Sequence, residues 1–236
     1  MTDPPLADIA WPTSRRIIRS IFPPVALFED IADPADWELI ASAEAKTNPR
    51  VRDEIGDLAL VPPARRVAGP TASVVMGAFT HASRDRPSRF SDGSYGVWYC
   101  GDRFEVALAE TAYHFERFMR LTNEQPADAQ YRELVAHIAG HLANLRGGGF
   151  AECLDPDDHG PGQTLGRHLH AAGRDGVVYP SVRWPSGEAA ALFWPDLIRL
   201  PVTQARHFLY RWDGRAMLGC LEYGTNIWHA GPETGS

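Results

Sequence analysis

The chain has 236 residues, of which 44% are hydrophobic and 22% charged, a composition typical of one large globular domain with or without an appended segment. Its net charge of -7 argues against a nucleic-acid-binding module, because such modules usually carry a basic face. The first residues show no signal-peptide pattern, and no apolar run approaches the ~20 residues that cross a bilayer. These features predict a cytoplasmic protein without membrane contact or direct nucleic-acid binding.

The first part of the chain carries helix signals. Asp33-Pro34 is a helix start, followed by W-E-L-I-A-S-A-E-A-K; Asn48-Pro49 ends this helix, and a shorter helical piece is expected over residues 51–55. The stretch R-R-I-I-R-S-I-F, residues 15–22, is ambiguous. We therefore predict a helical N-terminal extension over residues 1–60, packed on a main domain of residues 61–236.

The main domain begins with mixed signals. A-R-R-V-A-G (residues 64–69) predicts a short strand, and T-A-S-V-V-M-G-A-F-T-H (71–81) favours a helix. V-W-Y-C (97–100) is an aromatic and β-branched strand. Asp102 and Glu105 then form a D-x-x-E capping signature, which predicts a helix that runs to about Phe118.

The remaining elements alternate between strand and helix. Residues 130–140 have a strand-like alternation, and residues 163–173 predict a helix that ends at Gly173. Two apolar strands, 176–183 and 189–194, flank the turn W-P-S-G-E. Short strands interleaved with helices, without regular βαβ spacing, predict an α+β fold.

Glu110 is the most conspicuous polar residue of the predicted helices. At helical spacing it shares one face with Val106, Ala107, Tyr113, His114 and Arg117. A carboxylate among apolar neighbours is partly desolvated, which raises its pKa and favours pairing. A pair with His114 or Arg117 would only stabilise the helix by about 0.2–0.5 kcal/mol. The pattern alone leaves this structural pair and a functional acid both open.

Three other residues have two interpretations each. Arg89, in P-S-R-F-S-D-G, is either a solvated loop arginine or a bidentate anion ligand. Tyr99 is either a core residue or a stacking platform for a planar ligand. Ser181, in an apolar strand, is either a hydroxyl bonded to backbone or a pocket residue.

The sequence lacks the usual motifs for metal binding, dinucleotide or P-loop nucleotide binding, and serine hydrolysis. The scattered cysteines form no C-x-x-C pair, and the chain has no P-loop, no G-x-G-x-x-G after a strand and no G-x-S-x-G. His168 and His170 are two residues apart on a predicted helix and make a poor metal pair. The acidic loop D-P-D-D-H, residues 155–159, is expected to be solvated.

Three motifs in order resemble the RES-domain family: R-F-S-D-G-S-Y-G-V-W-Y-C, then A-L-A-E-T-A-Y-H, then D-G-V-V-Y-P-S-V-R. The resemblance covers about residues 60–215, including F-L-Y-R-W-D-G. It implies an ADP-ribosyltransferase-like fold, with a mixed or split β-sheet core and flanking helices. It also implies the toxin of a bacterial toxin–antitoxin pair, held by an Xre-type helix-turn-helix antitoxin, with NAD as substrate and no metal.

The same resemblance implies roles for individual residues. The expected catalytic set is Glu110, Arg89, Ser181 and His114. The expected NAD-binding set is Arg66, Arg89, Tyr99 and Ser181, and Arg65 competes with Arg66 for its place.

Three functions remain as expectations. The first is cleavage of the nicotinamide–ribose bond of NAD by hydrolysis or phosphorolysis, and the second is mono-ADP-ribosylation of a protein. The third is a non-catalytic protein that binds NAD or the antitoxin. Residues 1–60 lie outside the shared motifs and are available for contacts between copies of the chain. A homo-oligomer is therefore compatible with each of the three functions.

Overall fold

The computed structural model describes residues 3–20 and 56–230. These residues form eight strands and three α-helices. The strands are β1 (Leu6–Arg19), β2 (Trp98–Gly101), β3 (Ala127–Asn144), β4 (Gly176–Pro180), β5 (Glu188–Leu192), β6 (Ile198–Trp212), β7 (Met217–Glu222) and β8 (Trp228–Ala230); the helices are α1 (Ala72–Thr80), α2 (Phe104–Leu121) and α3 (Gly160–Ala171). The predicted α+β class is confirmed.

The strands form one mixed sheet in the order β1-β2-β5-β4-β3-β6-β7-β8, and β1 also pairs with β3. The β1–β3 pairing therefore closes a ring of five strands, from which β6, β7 and β8 continue. Only β3 and β4 run parallel among the described pairs, over Ala143–Asn144 opposite Val177–Val178. The expected mixed sheet is present.

The expectation of a helical extension is wrong for Leu6–Arg19. This segment is a strand that pairs antiparallel with β3 from Leu6↔Ala143 to Arg19↔Tyr131, with a register shift between Trp11 and Ser14. Pro12 lies at that irregularity, where a strand tolerates a missing N–H. The partner strand is more than a hundred residues away in sequence, so no local pattern could reveal it. The predicted helices between residues 33 and 55 lie outside the described residues.

Two smaller predictions also fail. The segment predicted as a strand over residues 64–69 contains part of a 3-10 helix, Pro63–Arg65, and no strand. Asp102 does not cap α2, which starts after Arg103 without a side-chain cap; instead the Asp102 carboxylate accepts a hydrogen bond from the Glu188 N–H at 3.0 Å. A tertiary partner has replaced the local one, so the capping signature fixed the helix start only to within two residues.

The other predicted elements are confirmed. α1, β2, β3 and α3 lie where the periodicity placed them, and Gly173, just beyond α3, has a positive φ of 69°. β4 and β5 form the expected antiparallel pair, with Pro180 opposite Glu188. The predicted extension of the first strand to residue 183 is wrong, because β4 ends at Pro180 and the Ser181 N–H closes a turn by donating to the Gly187 carbonyl. The turn between them, residues 181–187, therefore leaves the sheet at one end and reaches α2.

Helix α3 packs directly on the backbone that carries Arg89. A Cβ atom on Gly162 would lie 2.5 Å from the Arg89 carbonyl oxygen, and one on Gly166 would lie 2.2 Å from the Phe90 carbonyl oxygen. Real Cβ atoms do not approach that closely, so both positions require glycine for this packing. The helix thus fixes the loop that precedes β2.

Candidate active site

Glu110 lies midway along α2, half-buried, at the point where the 181–187 turn meets the helix. The Ser181 hydroxyl donates a long hydrogen bond of 3.5 Å to Glu110 Oε1. Among the described residues no hydrogen bond or ion pair joins Glu110 to His114 or Arg117. The helix-internal pair is therefore not what holds this carboxylate.

The turn itself is held by the same serine. Ser181 is buried, and its Oγ accepts a hydrogen bond from the Trp184 N–H at 3.1 Å. Its own N–H donates to the Gly187 carbonyl at 2.9 Å. Because one hydroxyl both closes the turn and reaches the carboxylate, Ser181 couples the shape of the turn to the position of Glu110.

The charge state of Glu110 reflects two opposing effects. Burial raises its pKa, whereas the nearby Arg183 and Arg89 guanidinium groups, the Ser181 hydroxyl and the polar Arg183 backbone lower it, and the net shift is upward. A carboxyl with a raised pKa can exchange a proton closer to neutral pH than an ordinary glutamate. This is the setting expected of a functional acid or base.

Arg89 is almost fully buried, in a tight turn over residues 88–91. Its Nη1 donates to the Asp155 carbonyl at 2.5 Å and to the Cys153 carbonyl at 3.4 Å. The guanidinium is held by neutral carbonyl groups, without a carboxylate partner among the described residues. Its positive charge therefore remains available to a bound anion.

Tyr99, on β2, holds the 88–91 turn through its hydroxyl group. Its hydroxyl accepts the Phe90 N–H at 2.9 Å and bonds the Ser88 hydroxyl at 2.8 Å. Burial raises the pKa of Tyr99 to about 12, so the phenol stays neutral. The observed contacts make it a support for the Arg89 turn; ring stacking on a ligand stays a prediction.

Two histidines lie near the same arginines as Glu110. His114 lies on α2 and His159 immediately precedes α3. Burial, followed by the charges of Arg183, His159, Arg117 and Arg89, lowers the pKa of His114 to about 4. The pKa of His159 is lowered by burial and then by the same three arginines, against a small opposing effect of Asp158. Both rings are therefore neutral at pH 7.

Arg66 does not join this group. Its side chain is buried, with Nε donating to the Val61 carbonyl at 2.9 Å and Nη2 to the Leu58 carbonyl at 3.1 Å. Arg65 instead pairs with Asp175 and Asp196, at 3.1 and 2.9 Å. The structure thus brings together Glu110, Ser181, Arg89 and His114 and, through the turn, Tyr99, but neither early arginine.

Sequence reasoning missed two members of the site. Arg183 is the second residue after Ser181, within the quoted S-V-R, and only the packing of its turn on α2 reveals it. His159 was expected in a solvated loop, but its Nε2 is enclosed and makes no hydrogen bond. The signal that could have found it is its position just before a helix that begins G-P-G, since that start brings it against the Arg89 turn.

Other features of the described residues lie apart from this site. An open cavity of about 790 Å³ is lined by residues from β3, β6 and the β7–β8 turn, none of them in the Glu110 group. No group of three or more His, Cys, Asp or Glu side chains in the described part could hold a metal ion. No α-helix described here is long and apolar enough to cross a membrane.

The fold and the site define an α+β protein in which a half-buried carboxylate on a helix lies close to two arginines. A family model described as RES domain matches residues 63–213, and the chain belongs to this family. An uncharacterized protein of Sinorhizobium fredii, y4oC, is 28% identical over 199 residues, 84% of this chain and 82% of the relative. The crystal structure of the M. tuberculosis MbcT–MbcA toxin–antitoxin complex aligns with 89% of this chain and 87% of its own at 11% identity and a TM-score of 0.39, too low to support a conclusion.

Proposed function

We propose that this protein cleaves the bond between nicotinamide and ribose in NAD. The observation that carries the proposal is the half-buried Glu110 carboxylate, bonded by Ser181, with Arg89 and Arg183 beside it. NAD combines a diphosphate, which requires cations, with a ribose carbon that becomes positively charged as nicotinamide leaves. A half-buried carboxylate with guanidinium groups close by has the charges that this substrate needs.

In this proposal Glu110 stabilises the charge that develops on the ribose. Departure of nicotinamide gives an oxocarbenium-like transition state, as in glycoside hydrolysis, and a fixed carboxylate in an enclosed site lowers its energy. Nicotinamide leaves with the electron pair of the C–N bond, and the acceptor oxygen forms the new bond at the same carbon. With water as acceptor, one proton is released, through Glu110 or directly to solvent.

The other residues bind and orient. Arg89 can donate to the diphosphate from the N–H groups that its two carbonyl contacts leave free. Ser181 holds the carboxylate in place, and the neutral His114 can accept or donate a hydrogen bond at a ribose hydroxyl. The acceptor is proposed to be water or phosphate, with transfer of ADP-ribose to a protein as the alternative that uses the same carboxylate.

A toxin role follows as a second part of the proposal. An enzyme that consumes NAD in the cytoplasm depletes a central metabolite, so its host needs a means of inhibition. The RES-family resemblance implies an Xre-type helix-turn-helix antitoxin. We propose that this partner blocks access to the pocket near Arg89. A complex purified with its antitoxin should release nicotinamide far more slowly than the free protein, and an equal rate would contradict the blocking role.

Nicotinamide release from NAD tests the function directly. Wild type is expected to release nicotinamide, and Glu110→Gln to lose about 10²–10³-fold in rate, because the carboxylate charge disappears while the shape remains. The assay is run with and without inorganic phosphate and with and without a host protein extract.

The pattern of dependence identifies the acceptor. Release with NAD and buffer alone indicates hydrolysis, stimulation by phosphate indicates phosphorolysis, and release only with extract indicates transfer to a protein. Glu105→Gln, at an exposed position of the same helix, is the matched control and should retain wild-type rates. A folded wild type that binds NAD without consuming it under any of these conditions would refute the enzyme and support a binding role.

A further inference from the structure

Arg183 makes more contacts around Glu110 than its place in the chain suggests. Its guanidinium carbon lies 3.4 Å from the centre of the Tyr113 ring, one turn along α2 from Glu110. Its Nη2 donates to the Pro156 carbonyl at 2.9 Å. The side chain is thereby clamped between α2 and the loop that precedes α3, and its positive charge acts on the Glu110 carboxylate.

This arrangement is unusual for an arginine that only fastens a turn. The charge has no carboxylate partner in contact among the described residues, because Pro156 and Tyr113 supply a carbonyl and a ring face. Its Nε is enclosed by protein and makes no hydrogen bond. A cation kept in a fixed place without a counter-ion acts mainly through its field on nearby ionisable groups. Glu110 is such a group.

We propose that Arg183 is the positioning residue of the site: its guanidinium, clamped between the Tyr113 ring on α2 and the Pro156 carbonyl, holds a fixed positive charge beside the Glu110 carboxylate. The kinetic part of this inference rests on the proposed NAD cleavage, whereas the effect on Glu110 itself does not. Removal of Arg183 should leave Glu110 in place but protonated over a wider range of pH.

Other polar and charged groups face Glu110 and also affect its pKa. Arg89 approaches from the 88–91 turn, Tyr179 from β4, Ser181 from the turn and His114 from α2; Arg117 and His159 lie further out. Arg89 lowers the pKa of Glu110 alongside Arg183, so the effect of removing one cation is partial. Tyr179 and both histidines are neutral at pH 7, so the charges that lower the pKa of Glu110 at this pH are those of Arg89 and Arg183.

The test follows the titration of the Glu110 carboxyl by ¹³C NMR, assigned with Glu110→Gln, in three variants. Arg183→Gln should raise its pKa, and Arg183→Lys, which keeps the charge, should leave it closer to wild type. Arg117→Gln, which removes a charge that does not bond the carboxylate, is the matched control and should change the pKa of Glu110 least.

The kinetic test is nicotinamide release. Arg183→Gln should lose roughly tenfold more of kcat/KM at pH 5.5 than at pH 8, and Arg183→Lys should restore much of the difference.

Each outcome decides one of the two proposals. An unchanged Glu110 titration in folded Arg183→Gln would overturn the positioning role, even if the enzyme loses activity. A wild type without NAD cleavage would refute the proposed function, while the titration would still decide the role of Arg183. If Arg183→Gln does not fold, Tyr113→Leu replaces it, because it removes the ring against which the guanidinium rests without removing a charge. It should move the Glu110 titration in the same direction, and no movement would overturn the proposal.

Discussion

At the scale of single residues, Glu110 illustrates a conflict between stability and chemistry. Burial raises its pKa above the ordinary value, so the folded protein disfavours the ionised form relative to the unfolded chain. The protonated carboxyl is present in both states below the unfolded pKa, and there the penalty vanishes. As pH rises through the folded pKa, the folded state must hold a charge in a poor environment, and stability is lost.

Glu110→Gln should therefore be more stable than wild type at pH 7, by on the order of 1 kcal/mol, while it loses activity. The gain should disappear near pH 4, where the wild-type carboxyl is protonated in the unfolded chain as well. Urea unfolding at both pH values measures this, with Glu105→Gln as the exposed control. An equal or lower stability of Glu110→Gln at pH 7 would mean that hydrogen bonds to the carboxylate outweigh its desolvation.

At the scale of elements, the contact between α3 and the 88–91 turn positions Arg89. Glycine inside a helix normally costs about 1 kcal/mol relative to alanine, yet α3 contains Gly162 and Gly166 on the face that meets this turn. The Phe90 carbonyl also accepts the Tyr95 hydroxyl at 2.5 Å, which leaves the turn little freedom to move. The two glycines therefore lower the intrinsic stability of α3, but they allow the helix to approach the turn closely.

Gly166→Ala should consequently destabilise the protein by about 1–3 kcal/mol, the usual cost of overpacking, and reduce NAD cleavage by displacing Arg89. Gly77→Ala is a matched control inside α1, because its Cβ would meet only a His81 ring nitrogen at 3.8 Å. That variant should gain up to about 1 kcal/mol. Thermal unfolding of both proteins measures the difference, and a stabilised Gly166→Ala would show that the turn yields.

At the scale of the whole molecule, β1 connects the start of the chain to the middle of the sheet. It pairs along almost the full length of β3, and Arg15 on β1 and Arg206 on β6 both contact the buried Glu133 of β3, at 3.0 and 2.7 Å. Burial alone would raise the pKa of Glu133, but the bonds and charges of the two arginines outweigh it and lower the pKa. This contribution to stability is present above the unfolded pKa and is lost as pH falls through the folded pKa.

A chain that begins at residue 61 should not fold cooperatively, since the edge of β3 and the Glu133 carboxylate would both lose their β1 partners. Circular dichroism with thermal unfolding is the measurement, and a chain that begins at Asp3 is the control. Addition of a peptide of residues 1–20 should restore folded protein if β1 is the missing part. A stable domain of residues 61–236 would support the predicted boundary and contradict this expectation.

The sequence by itself determined the elements whose signals are local and the residues carried by its three motifs. Helical and alternating periodicity placed α1, α2, α3 and the β4–β5 pair, and the helix position of Glu110 followed from 3.6-residue spacing. Tertiary structure decided the rest, because strand pairing and charge balance depend on groups distant in sequence. Only the fold turned residues 6–19 into a strand and tied Arg66 to carbonyls away from the site. It also brought Arg183 to Glu110 and His159 to the arginines beside it. A carboxylate's partners and pKa are set by what surrounds it in space, and no spacing along one helix contains that information.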